Sequence, residues 1–588
     1  MGHGVPVVEG DEPGAGGGGH HPPAGWIFTE VAREAGLLWT HRPFNPRGSL
    51  DAYDHGNGVA AGDFDGDGHE DVLLLSQCGP AGFFLGRGDG TFTDRSDRLG
   101  LPSDGIPLAV AAGDFDEDGR TDFYVTFVRR PNALLRQGAD GAFTDVAAER
   151  GAGLEGHWSG ASFADFDGDG DLDIVVAGNL RFTKDDVLVP AAGDCPAGWE
   201  GRPVYELLNS TDSHPTALLV NGGAASGWTF TEEAAARGIP PGGAAPGDAL
   251  GFGDVTVLDF DRDGDLDLYL PEMFRGRSRL LENDGTGRFT DATAARVPRA
   301  SFGASGAAAE DFNGDGRPDL LVTDMHSDMW VPFNMPIEDI DTGVRYRNEH
   351  HGPGAGVGDN PDGPFFGNTL WLSRPDGGFD ERDLEWGAET FNPWGALAGD
   401  FDNDGRADAF VPSGMSNPYR YFPDVFLHNL GDRFEEMQVP LGFHLPEGRQ
   451  TDPDVEIGDD PLVHSTRGSA AADFDGDGDL DIVSCAWTSG VRLWRNDLPR
   501  GRRWLSVDLR GRAPRDPVGA EVEVVAGGRT QVRWMQGARG YLSQSSRRVH
   551  FGLGDAEEVE SVSVRWPDGS RTRLDRPRAD RVLVVEQE

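Results

Sequence analysis

Seven times along this chain an acidic nonapeptide recurs with one grammar: Asp at positions one, five and nine, Asp or Asn at three, Phe at two and Gly at six. The copies are DFDGDGHED from Asp63, DFDEDGRTD from Asp114, DFDGDGDLD from Asp165, DFDRDGDLD from Asp259, DFNGDGRPD from Asp311, DFDNDGRAD from Asp400 and DFDGDGDLD from Asp473. An acidic run is ordinarily a solvated loop, and a solvated loop has no reason to hold its spacing. Carboxylates converging from one short segment repel one another unless a cation sits among them. Calcium takes roughly six to eight oxygen ligands in flexible geometry, and D-x-D-x-D-G supplies several from a single turn. The glycine permits the turn that swings the position-seven carbonyl, that of His69 in the first loop, toward the ion.

The expected ligands are therefore Asp63, Asp65, Asp67 and Asp71 in the first loop, and Asp114, Asp116, Asp118 and Asp122 in the second. Asp165, Asp167, Asp169 and Asp173 form the third set, and Asp259, Asp261, Asp263 and Asp267 the fourth. Asp311, Asn313, Asp315 and Asp319 follow, then Asp400, Asp402, Asp404 and Asp408, and last Asp473, Asp475, Asp477 and Asp481. Up to seven calcium ions are expected. These are not EF-hands, which need a glutamate at position 12 and a helix on each side. Here the loops follow small-residue runs such as GVAAG, GASFA and GSAAA, and precede short apolar runs such as VLLLS, FYVTF and IVVAG, which read as strands. The phenylalanine at position two (Phe64, Phe115, Phe166, Phe260, Phe312, Phe401 and Phe474) reads as a buried wedge between neighbouring repeats.

A second phrase separates the loops: FTDRSDRLGL from Phe92, FTDVAAERGA from Phe143, FTEEAAARGI from Phe230 and FTDATAARV from Phe289, with weaker copies at Phe379 and Phe434. Each repeat thus holds four strands, and the clean copies lie 51 or 52 residues apart, within the range of propeller blades. The seventh loop has no such phrase after it, whereas FTEVAREAGL at Phe28 precedes every loop. Residues 28–37 are therefore expected to supply the outer strand of the last blade and close the ring, which removes exposed sheet edges. The expected fold is all-β: a seven-bladed propeller over residues 26–500, a small β domain over 501–588, and a flexible tail over 1–25.

The net charge of −49 excludes nucleic acid and anionic membrane surfaces as partners, since both require a basic face. Seven calcium ions on 27 ligand aspartates would reduce that charge to about −35, which still solvates the surface. No apolar run approaches the length of a membrane span. The first 25 residues lack the apolar stretch of a secretory signal. Cys78, Cys195 and Cys485 have no metal-ligand spacing; one disulfide is open to them, and Cys485 reads as a core residue. Insertions at 179–216 and 325–368 are long enough to be functional, and the second holds Glu349, His350 and His351, whose preferred reading is an ordered surface loop.

The aspartate loops, their small-residue lead-in strands and the Phe252-Gly253 and Phe302-Gly303 pairs resemble FG-GAP/VCBS repeats, as in integrin α-subunit propellers. The texture from Arg502 onward, with WLSVDLRG, VGAEVEVVAGG, QGARGYLSQSSRRVHFGLG and VESVSVRWPDG, resembles the ASPIC/UnbV domain. The combination is similar to the cartilage acidic protein family. That resemblance implies calcium in the blade loops and an extracellular life, with a C-terminal domain of about 85 residues expected beside the ring. Gly540 to Gln544 within it reads as either a recognition loop or a packing motif.

Two functions fit. One is a binding or adhesion protein for a protein or glycan partner, whose ring calcium stiffens. The other is an enzyme or small-ligand protein using the channel mouth opposite the calcium loops, onto which, by the resemblance, the segments before the inner strands open. Those segments hold His55 and Asn57, His157 and Trp158, Phe252 and Asp254, Asn392 and Trp394, and His464 with Arg467. Aromatic walls, histidines and an arginine converging on one cavity can bind a small molecule. Asp254 is the acid placed there outside a calcium loop and is the expected catalytic residue if catalysis exists. The same residues can instead simply pack the ring shut. There is no G-x-S-x-G, no H-E-x-x-H and no phosphate loop.

Overall fold

The computed structural model describes residues 23–42, 56–181, 213–241, 251–325, 367–414, 424–443 and 466–588, apart from short breaks at 104, 129, 274–277, 298 and 487–489. The tail over 1–22, most of both insertions (with Glu349, His350 and His351), His55 and His464 lie outside the described residues.

Seven four-stranded antiparallel sheets form a ring. The first blade is built from Val59–Gly62, Asp71–Leu74, Gly82–Gly86 and Phe92–Asp94. Its first strand is the innermost and is made of Val, Ala and Gly, because seven such strands crowd toward one axis. The aspartate loop joins the first strand to the second in every blade. The seventh blade takes Thr466–Ala472, Asp481–Ala486 and Val491–Asp497, and its fourth strand is Ile27–Glu30 from the other end of the chain. Phe28 pairs there with Asn496, and Trp26 Nε1 donates to Asn496 Oδ1 at 2.7 Å. The innermost strands of blades seven and one are neighbours, so the ring closes.

The loop phenylalanines fasten blade to blade. All seven are buried. Phe115 packs on Phe230, Phe166 on Phe289, Phe260 on Phe379 and Phe312 on Phe434, each the first residue of the outer strand in the next blade. Phe401 packs on Phe28 and Phe474 on Phe92, which carries the pattern through the join. Phe64 reaches Phe123, which itself packs on Phe143.

Residues 503–588 form two sheets around a separate core. Arg503–Arg510 lies between Val549–Gly554 and Val582–Glu586, and Glu521–Ala526 pairs with Arg529–Trp534 and Val559–Arg565, with Arg571–Asp575 at the edge. Val507, Val522, Phe551 and Trp566 lie at the centre of that core. The expectation that this domain sits beside the ring is corrected. It covers the aspartate-loop face, and its segment 536–548 enters the channel and touches all seven blades.

The physical reason is the edge problem. The innermost strand of a blade has unpaired amides and carbonyls facing the axis, and buried backbone groups need partners. Gln544 exchanges backbone bonds with Val59 and Ala61 at 2.8 and 2.9 Å, while its Oε1 accepts from Ala112 N at 2.7 Å. Ala538 N donates to Ser162 Oγ, Gln536 Nε2 to the Ala309 carbonyl, and Arg539 to the Ala398 carbonyl. Leu542 N donates to Asp254, and Ser546 N to the Ala471 carbonyl.

Cys78 is disulfide-bonded, and Cys485 is a free, buried thiol. Among the described residues no helix is long and apolar enough to cross a membrane.

Candidate functional sites: acidic cradles and the plugged channel

Each aspartate loop is shaped by its own amides. In the first, Gly68 N donates to Asp63 Oδ2 at 2.9 Å, Asp67 N to Asp65 Oδ1 at 3.1 Å and His69 N to Asp67 Oδ1 at 2.9 Å. Asp71 is the pivot: its two oxygens accept from Phe64 N and from Gly86 N, both at 2.8 Å, tying the loop to the end of the third strand. The link between position nine and the third strand recurs in every blade, through Gln137, Asn221, Asn283, Ser373, Asn429 and Asn496. Both Gly66 and Gly68 of the first loop have positive φ, 77° and 93°, a conformation that favours glycine.

With one set of oxygens committed to amides, the others are left over. Asp63 Oδ1, Asp116 Oδ1, Asp167 Oδ1, Asp259 Oδ1 and Asp261 Oδ1 are buried atoms with no hydrogen-bond partner. In the first four loops, ligand atoms from three acids lie within 4.8 Å of one another: Asp63, Asp65 and Asp71; Asp114, Asp116 and Asp122; Asp165, Asp167 and Asp173; Asp259, Asp261 and Asp263. Burial, joined by repulsion from Asp65 and Asp63, pushes the Asp71 carboxyl up to about 8. Burial together with the neighbouring loop aspartates likewise pushes Asp122 and Asp267 up to about 9. Unpaired buried oxygens and crowded carboxylates are the donor set that a hard divalent cation satisfies. These acidic clusters can hold a metal ion.

Sequence reading missed the side chains that lock each loop to its neighbour. Asn221, Asn283 and Asn429 end their third strands and Asn496 stands one residue before the end of its own, and each donates its Nδ2 to the carbonyl of the preceding blade's loop phenylalanine. Gln137 does the same in the second blade. The signal was present as an Asn at or next to the end of the third strand in four of the seven blades.

The residues expected at the channel mouth divide into two groups. Asp254 is buried and accepts at 2.9 Å from both Val255 N and Leu542 N. Burial pushes its carboxyl up to about 7 against the pull of those two bonds. Trp394 lies 5.6 Å from Tyr541, and the Arg467 guanidinium covers the Trp394 ring at 4.0 Å. Arg467 Nη1 and Trp394 Nε1 both donate to the Gly414 carbonyl. Asp254 and Trp394 thus flank the Tyr541–Leu542 tip of the plug, and Arg467 backs the Trp394 ring. Gly58 and Gly395 mark its closest approaches: an added Cβ would lie 2.2 Å from the Leu542 carbonyl oxygen and 2.6 Å from Tyr541 Cβ.

The other group sits in the blade seams. Asn57 donates to the Leu75 carbonyl at 2.9 Å. His157 stacks on His214, and Trp158 belongs to the apolar cluster of Phe115, Phe163 and Phe230. Asn392 adopts a positive φ of 50° and accepts from Gly414 N.

Comparison with known proteins identifies the parts. Residues 63–125, 119–176 and 259–322 match the FG-GAP-like repeat, and residues 511–588 match the ASPIC and UnbV domain. Cartilage acidic protein 1 of Homo sapiens is 24% identical over 413 residues, 55% of this chain and 60% of its own length. That of Mus musculus is also 24% identical, with 62% of its length covered. The Xenopus tropicalis protein of the same name is 24% identical over 542 residues, 87% of this chain and 70% of its own. The chain therefore spans about 60% of the length of the mammalian relatives. Among solved structures, a Bacillus licheniformis rhamnogalacturonan lyase of family PL11 aligns over 75% of this chain and 90% of its own at 13% identity, with a TM-score of 0.28, too low to carry an argument.

Proposed function

We propose that this chain, built of FG-GAP-like repeats and an ASPIC and UnbV domain, is a calcium-stabilised binding protein that presents its rigid ring to a protein or glycan partner. The observation that carries the reading is the plug. Tyr541 and Leu542 are 1% exposed and fill the channel between Asp254, Trp394 and Ile106, so a substrate would have to displace a hydrogen-bonded segment to reach them. That geometry argues against the channel-mouth enzyme. It also casts Asp254 as an acceptor that holds the plug.

Calcium follows from the donor chemistry. All-oxygen cradles built from backbone-fixed carboxylates suit a hard cation, and a millimolar extracellular concentration would fill even weak sites. The disulfide at Cys78 fits an oxidising compartment. Contact would be made by the outer blade surfaces and inter-strand loops, where binding residues concentrate on rigid scaffolds.

The test is capture of glycan and extracellular-matrix arrays by the immobilised full chain, with calcium and with a chelator present. Saturable, calcium-dependent binding that survives Asp254→Asn supports the reading. Turnover of a small molecule that Asp254→Asn abolishes would replace it with the enzyme.

A further inference from the structure

The seven loops share one motif but not one environment. In the seventh loop none of Asp473, Asp475, Asp477 and Asp481 is ion-paired among the described residues. In the third a single arginine, Arg237, reaches Asp167 at 2.9 Å. In the second loop Arg136 pairs with Asp116 and Asp118, and Arg120 with Asp118. In the fourth, Arg565 and Arg296 reach Asp259 and Asp261, and in the fifth Arg317 pairs with Asp315. In the first, Arg548 lies 3.8 Å from Asp63. The sixth carries three arginines. Asp402 pairs with Arg502 at 2.6 Å, Asp400 with Arg533 at 3.4 Å, and Asp404 with Arg406. Three guanidiniums therefore stand against four carboxylates, and two of the three, Arg502 and Arg533, come from the C-terminal region beyond the ring.

The remaining ligand capacity is taken by the same domain. Asp400 Oδ2 accepts from Gly405 N at 2.9 Å and from Gly552 N at 2.8 Å. Arg529 donates to the carbonyls of Asp404 and Gly405 at 2.8 and 3.0 Å. Asn403, at position four, accepts from Gly554 N through its carbonyl and meets His550 Nε2 at 2.7 Å. The fit leaves no space: a Cβ on Gly552 would lie 2.3 Å from Asn403 Cα. Asp400, Asp402 and Asn403 are fully buried as a result, whereas Asp65 and Asp67 of the first loop are exposed.

Asp402, Asp408 and His428 bring three ligand atoms within 4.8 Å, which invites a transition metal. Arg502 argues against it by charge: Nη1 lies 2.6 Å from Asp402 Oδ2, where such an ion would sit, while donating its hydrogen bond to the Asp402 carbonyl and leaving Oδ2 without a bonded partner. Asp408 Oδ1 is shared between Asn429 N at 2.8 Å and His428 Nδ1 at 3.0 Å.

We infer that the sixth aspartate loop is not a cation cradle but the socket that anchors the C-terminal domain, with Arg502 and Arg533 supplying the positive charge an ion would supply elsewhere. The inference rests on reading the other loops as calcium cradles, and it limits the chain to six ions at most. What sets the sixth loop apart is the combination: Arg502 and Arg533 oppose a divalent ion by short-range repulsion, while Gly552 N bonds Asp400 Oδ2 and the Gly552 backbone fills the space against Asn403.

The experiment measures bound calcium and bound zinc per chain, by equilibrium dialysis and elemental analysis, on the full-length protein, Asp475→Asn and Asp402→Asn. Asp475→Asn should lose one calcium. Asp402→Asn should lose neither calcium nor zinc, while its C-terminal segment gains protease sensitivity. A wild-type count of seven, or loss of one calcium or zinc in Asp402→Asn, overturns the socket, and the wild-type count needs no variant to fold. No calcium on the wild type and no change in Asp475→Asn would instead sink the calcium reading beneath it.

Discussion

Truncating Tyr541 to alanine removes a ring that is 1% exposed and packed on Trp394, at the tip of the segment filling the channel. Loss of a fully buried aromatic costs about 3–5 kcal/mol, because the surrounding wall cannot follow the missing ring. The wall here is seven blades locked to one another, and two of the contact points, Gly306 and Gly395, have no side chain with which to collapse inward. The cost should therefore fall on the docking of the plug. At 1.4 kcal/mol per tenfold, about 3–5 kcal/mol raises the undocked population by roughly two to three and a half orders of magnitude. The assay is amide exchange across residues 536–548, with limited trypsin digestion at Arg539 and Arg547 as a second reading. Exchange in that window should accelerate by the stated factor, while the blade strands exchange as before. Unchanged protection in the window would refute the plug. Uniform loss of protection across the blades would show that Tyr541 belongs to the ring core.

Arg533→Gln should weaken the seating of the C-terminal domain on the sixth loop, because it leaves Asp400, fully buried, without its cationic neighbour; a loss of about 3–5 kcal/mol is expected, read as a lower melting midpoint in the same buffer. Trp26→Ala should open the ring at its join, since the indole bonds Asn496 and packs on Phe426; a loss of about 3–5 kcal/mol and early proteolysis near residues 26–37 are expected. The metal-free protein should lose stability as pH rises. Asp71, Asp122 and Asp267 have folded values of about 8 to 9, raised by burial, so between the unfolded value near 4 and those values the unfolded chain has released protons that the folded chain retains. Denaturation midpoints in chelator should therefore be higher at pH 5 than at pH 8, and calcium should reverse the order. A chelated protein more stable at pH 8 contradicts the burial of these carboxyls.

Much of this was legible because it repeats. Seven copies of one loop define a blade, and a phrase missing after Asp473 but present at Phe28 marks a closed ring. The phenylalanine wedge could be read because a constant apolar residue inside an acidic loop needs a buried partner. The plug could not be read. Gln544 and Leu542 bond to backbone groups of Val59, Ala61 and Val110, and backbone partners leave no mark on a sequence. The proposed socket is hidden for a related reason: DFDNDGRAD is an intact motif, and the guanidiniums set beside it, Arg502 and Arg533, stand about 100 residues away or more. The channel-mouth residues shared an address in the repeat, yet the blades direct His157 and Trp158 into a seam and Asp254 to the plug.

The most direct test of the central claim is a thermal melt of the full chain in millimolar calcium and in chelator at pH 7.5. If the aspartate loops are cation cradles, calcium should raise the midpoint in proportion to the logarithm of its concentration, with several ions contributing, since each site at 100 times its dissociation constant adds about 2.7 kcal/mol. A midpoint indifferent to both calcium and chelator would contradict the account, and the carboxylates would then be loop architecture alone.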